Sequence, residues 1–111
     1  MDIASARETA LATWPCEEYD HFGKVAFRLK AKKPGGKPGR TFMTLWLEDG
    51  FSVLMLDKAL QTEWLEHRSG AFVPHPSKWG LSGATIMHLG KVNEKDFREA
   101  VEAAVLNAGR K

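Results

Sequence analysis

The stretch TFMTLWLEDGFSVLML, Thr41 to Leu56, decides the fold. Thr41–Leu47 and Phe51–Leu56 are two runs rich in aromatic and aliphatic residues that meet around Asp49-Gly50. Asp-Gly is a strong hairpin signal, because both central positions of a type I′ turn need φ above zero. A two-residue turn sets Glu48 opposite Phe51, Trp46 opposite Val53 and Thr44 opposite Met55, and directly paired residues share a face. One face is then uniformly aliphatic, with Met43, Leu45, Leu47, Leu54 and Leu56, and is expected to lie under helices. The other carries Phe42, Thr44, Trp46, Phe51, Val53 and Met55, too apolar to leave in water without a cover.

Upstream, Lys24–Lys30 alternates Val25, Phe27 and Leu29 against Lys24, Ala26, Arg28 and Lys30, the pattern of a half-buried strand. If this strand joins the sheet with Val25, Phe27 and Leu29 inward, Lys24, Arg28 and Lys30 point to the same side as Trp46. Between the two strands, KAKKPGGKPGR at residues 30–40 holds two prolines and three glycines and reads as a loop. With no apolar residue beyond Ala31, its segment Lys32–Gly39 is expected to be dispensable for folding.

Ile3, Ala10, Leu11 and Trp14 approximate a helical stripe that Pro15 ends. Downstream of the hairpin, Asp57 can cap a helix carrying Leu60, Trp64 and Leu65, with Gly70 as its C-terminal stop. Phe72-Val73 and Ala84–Leu89 read as strands around a Pro-rich loop. Asn93 followed by Asp96 resembles a capping box ahead of a helix lined by Phe97, Val101, Ala104, Val105 and Ala108. The order α-β-β-β-α-β-β-α implies an α+β two-layer sandwich, an antiparallel sheet with helices on one face.

The 111 residues suit one domain spanning 1–111, and 43% hydrophobic with 27% charged residues is ordinary for a globular core. The longest uncharged stretch, Trp79–Gly90, is shorter than the roughly 18–20 apolar residues of a membrane span and holds three glycines, so no membrane segment is expected. Asp2 stands where a signal peptide carries positive charge, and the single Cys16 forms no internal disulfide; both fit a cytoplasmic protein.

Net charge is only +2, yet it is unevenly spread: −4 over residues 1–23, +7 over 24–40 and −1 over 41–111. The basic segment makes Lys24, Arg28, Lys30, Lys32, Lys33, Lys37 and Arg40 the candidate contacts to nucleic-acid phosphates, because such cations release counterions on binding. A solvated loop, basic for solubility alone, is the competing explanation. Phe42, Trp46, Phe51 and Trp79 are the candidates for an interaction face, which would serve a protein partner or a homodimer. Trp79, in a loop with His75 and Lys78, either plugs the open apolar face or lines a groove. Burial is the commoner fate of Trp, so a plug is expected.

Other chemistry finds little support. Gly36-Lys37 fails as a phosphate-binding loop, since Ala31 stands where the first glycine belongs and Pro38 where Ser or Thr would hold magnesium. His21, His67, His75 and His88 lack zinc-site spacing, and no second Cys joins Cys16. Cys16 with His21 has no oxyanion-stabilising motif beside it. Neither an enzyme nor a cofactor or metal is expected.

HFGKVAFR at His21–Arg28, TFMTLWLEDG at Thr41–Gly50, the FSVLML-D run with its helix, and FVPHPSKWGLSG at Phe72–Gly83 together resemble the MmcQ/YjbR family in order and spacing. That resemblance spans nearly the whole chain. It implies an α+β fold similar to type III secretion chaperones, a small cytoplasmic bacterial protein, and a DNA-binding role, with a chaperone-like use of the sheet face as the alternative. Two departures stand out: relatives join the first two strands by a short turn where this chain has residues 30–40, and they often place Trp where this chain has Ala84 after Gly83.

Overall fold

A computed structural model describes residues 1–110 and contains one six-stranded antiparallel sheet with four helices, an α+β fold. The elements run α1 (Ile3–Thr13), β1 (Cys16–His21), β2 (Lys24–Leu29), β3 (Thr41–Trp46), β4 (Phe51–Met55), α2 (Lys58–Leu65), β5 (Phe72–Pro74), α3 (Lys78–Leu81), β6 (Ala84–His88) and α4 (Glu94–Ala108). In space the strands lie β1-β2-β3-β4-β6-β5, so β5 forms one edge and β6 returns between it and β4. No helix among the described residues is long and apolar enough to cross a membrane.

The hairpin forms, with a different register from the one Asp49-Gly50 suggests. Trp46 pairs with Phe51, Thr44 with Val53 and Met43 with Leu54, leaving Leu47–Gly50 as a four-residue loop. The amides of Asp49 and Gly50 both donate to the Trp46 carbonyl at 3.2 and 2.9 Å, and only Gly50 takes positive φ, so the double left-handed turn is not made. The slip amounts to two residues, an even number, and therefore leaves every side chain on its expected face. Leu47 is the exception: it falls in the loop and is 58% exposed instead of joining the core.

The two-residue turn with both φ values positive occurs two hairpins earlier, at Phe22 (φ 52°) and Gly23 (φ 83°), where His21 pairs with Lys24. It creates β1, a strand with no apolar alternation. Its even positions face α1, where Glu18 accepts from Arg7 Nε at 2.5 Å, and its odd positions Glu17, Tyr19 and His21 share the open face with Lys24 and Arg28. Charge along an edge strand discourages pairing with other chains.

Phe42 is a second correction. Phe27 pairs with Met43 but Arg28 with Thr41, so β3 carries one extra residue at Phe42. A bulge re-aims the side chain it inserts, and Phe42 turns from the open face into the core, fully buried with its ring 6.3 Å from Trp14 and 6.5 Å from Phe27. The main core lies between the sheet's Phe27, Met43, Leu45, Leu54 and Met87 and the helices α1, α2 and α4. Ala6 and Ala10 of α1 and Ala100 and Ala104 of α4 are fully buried, small residues that bring these helices close to the strands.

Side-chain caps start the helices as the sequence indicates: Asp57 accepts from the Leu60 amide and Asn93 from the Asp96 amide, both at 2.8 Å. Asp2 does the same for α1 through Ser5. α2 stops at Leu65, five residues before Gly70. One buried polar atom in the core, Ser52 Oγ, has no hydrogen-bond partner. Ser52→Ala removes that unpaired hydroxyl and is expected to raise stability by about 1 kcal/mol, read as an upward shift of the urea midpoint with unchanged slope.

Candidate functional site

Of the seven predicted phosphate contacts, the structure gathers five. Lys30, Lys32, Lys33, Lys37 and Arg40 are all exposed and line one cleft of about 480 Å³ that the 30–40 loop forms against Ala108 and Gly109 at the end of α4. None of the five has a carboxylate partner among the described residues. The loop is shaped by its own backbone: Gly36 N donates to Lys33 O at 2.9 Å, and Gly39 N donates to Leu29 O at 2.7 Å. Its last residues thus belong to the β2–β3 ladder, and the dispensable stretch ends at Pro38 rather than Gly39.

The other two cations lie on the open sheet face. Arg28 donates to Glu17 Oε2 at 2.6 Å and sits 4.3 Å over the Tyr19 ring, so its charge is already engaged. Tyr19 in turn hydrogen-bonds Thr41. Lys24 Nζ lies 4.1 Å over the Trp46 ring, a cation–π contact that places both side chains on one side of the sheet.

Trp46 and Lys24 open a second cavity, a groove of about 530 Å³ on the sheet face opposite α1, α2 and α4, where α3 lies. Its floor is Val53, Met55 and Ala84, beside the small apolar cluster of Val53, Ala84 and Ile86. Phe51 packs against that cluster from the side, its ring 5.4 Å from Trp46. Trp79, on α3, stands at the groove's wall and is 58% exposed, so it does not plug the sheet face. His75 brings its ring to 5.8 Å from Trp46, and His21 closes the side nearest β1.

Two residues that the sequence did not single out hold this wall. Gly80 packs so tightly on the preceding loop that a Cβ there would stand 1.8 Å from the His75 carbonyl oxygen. Gln61 is fully buried, and its amide donates to the carbonyls of Gly80 at 2.8 Å and Ala84 at 3.0 Å, tying α2 to α3 and to the start of β6. The only hint in the sequence was a polar residue among Leu60, Trp64 and Leu65. Gln61→Leu removes both of these hydrogen bonds. Ala84 O still accepts from the His75 amide at 3.0 Å and Gly80 O from the Gly83 amide at 3.2 Å, so the cost is that of two lost bonds, each about 0.5–1.5 kcal/mol. The expected result is a loss of roughly 1–3 kcal/mol in urea unfolding, with faster amide exchange at Trp79–Ala84 than the global change explains.

Cys16 and His21 sit at opposite ends of β1 and face opposite sides of the sheet. The thiol is buried against the Ala10 carbonyl at 3.4 Å, and burial raises its pKa, an environment for an inert structural cysteine. Phe22, by contrast, is 91% exposed at the tip of the first hairpin, against the His21 ring.

No protein-family model matches the sequence, and no curated protein or solved structure matches it either. Function has to be read from the side chains themselves.

Proposed function

We propose that the protein is a cytoplasmic, non-enzymatic domain that binds DNA through its phosphate backbone, using Lys30, Lys32, Lys33, Lys37 and Arg40. One observation carries this reading: five cations line a single cleft and none is neutralised by a neighbouring carboxylate among the described residues. Lysines and arginines so placed contact phosphates without reading bases, and the glycines and prolines between them let the loop follow a backbone. The resemblance to the MmcQ/YjbR family points the same way. Lys24 and Arg28 drop out of the contact set because both lie on the open sheet face, outside the basic cleft, and Arg28 is already matched to Glu17.

The alternative, a chaperone-like or homodimeric use of the apolar face, has less to support it. Phe42 leaves the proposed patch for the core, and Trp46 and Phe51 are half-buried, so Trp79 alone of the four is broadly exposed. Titration of a labelled duplex at several salt concentrations tests the proposal. With five phosphate contacts, log affinity is expected to fall against log salt with a slope of about −4 to −5. Absence of saturable binding at low salt sinks it.

A further inference from the structure

The groove on the open sheet face is separate from the basic cleft, and its chemistry is different. We infer that it is a binding site for a small planar aromatic anion, a ring system carrying a carboxylate, sulfonate or phosphate group. Three features define that ligand. The volume of about 530 Å³ falls in the range of small-molecule sites, which are concave and mainly apolar with a few convergent polar groups. The exposed ring of Trp79 offers a flat face to a planar body over the aliphatic floor of Val53 and Met55, and Trp46, with His75 beside it and Lys24 over its ring, lines the groove with it.

Charge complementarity sets the sign of the ligand. Lys24 and Lys78 both line the groove, no Asp or Glu does, and neither lysine has a carboxylate partner among the described residues. An anionic group would meet two ammonium groups in a partly apolar setting, where charge-assisted hydrogen bonds are the strong ones. A cationic ligand would be repelled by both ammonium groups, and a neutral one would form an ion pair with neither. The wall is built to stay in place: Gly80 seats α3 against the His75 backbone, and Gln61 ties α3 to the buried start of β6. Such preorganisation lowers the cost of ordering a pocket around its ligand.

The test compares anilinonaphthalene sulfonate with its uncharged analogue phenylnaphthylamine, by fluorescence titration of the intact protein. We expect one saturable sulfonate site per chain, at least 10-fold tighter than the neutral analogue. Lys24→Gln combined with Lys78→Gln should erase that preference at an unchanged melting temperature. Trp79→Ala, at an exposed position that the fold does not need, should weaken both probes at least 5-fold. Equal affinity for the two probes, or sulfonate binding unchanged in both variants, overturns the inference. Saturating duplex DNA should leave the probe bound, whereas displacement would merge the groove with the nucleic-acid interface and overturn a separate site. The result does not depend on whether duplex binding itself is observed.

Discussion

Phe42→Ala is expected to lower stability by about 3–5 kcal/mol, the range for emptying a buried Phe site. The residue has no exposed surface and packs edge-on against Trp14 while its other neighbour, Phe27, closes the core from β2. Trp14 is itself fixed by an indole hydrogen bond to Glu102 at 2.7 Å, so α1's end and α4 meet over the Phe42 ring and cannot easily collapse into a void there. Against a total of roughly 5–15 kcal/mol, such a loss removes a large part of the stability. A shift of about 4–8 °C per kcal/mol in a domain near this size turns it into a melting temperature lower by at least about 12 °C. Were Phe42 on the open face, as strict alternation from Trp46 implies, the same substitution would cost less than about 1 kcal/mol. A melting temperature within about 3 °C of the parent would therefore remove the bulge from the explanation.

That one residue shows where a sequence stops specifying its structure. The two-residue period locates every other side chain of β3 and β4 on its proper face, even though the loop between them is four residues long, because an even slip preserves the alternation. An extra residue in one strand breaks the period, and nothing in TFMTLW marks where it falls. β1 escapes detection for a different reason. Cys16 is its only buried residue, Glu17, Glu18 and Asp20 give it the look of a loop, and its turn uses Phe22 at positive φ, where Asn or Gly would have announced it. The site divides along the same line. The cluster of cations is a property of the chain and can be counted from it. That Arg28 is matched to Glu17 while Lys30 is not depends on a strand pairing that the chain does not display. The groove depends on it still more, since Trp46 and Trp79 come from distant segments that α2, through Gln61, brings to one place.

Excising Lys32–Pro38 together with Ala31→Gly is expected to leave the fold intact and to take most of the salt dependence out of DNA binding. Gly39 N already donates to Leu29 O, which is the closing bond of a four-residue turn, so positions 29, 30 and 31 followed directly by Gly39 can form one without moving either strand. The removed residues are exposed and leave no apolar contact behind. Loop-closure entropy changes by only about 0.6 kcal/mol per doubling of length, so the melting temperature should stay within about 8 °C of the parent. Three of the five unpaired cations leave with the segment, and Lys30 and Arg40 remain. At about 0.9 per phosphate contact the salt slope should relax from about −4.5 to about −1.8. Between about 50 and 200 mM salt the parent should then lose about 500-fold in affinity and the excised protein only about 12-fold. A parallel loss in both would place the phosphate contacts elsewhere, with Lys91 and Lys95 around the start of α4 as the next cations to neutralise. A melting temperature that falls further than about 8 °C would show the loop to be packed on the end of α4 as part of the fold, which its exposed side chains argue against.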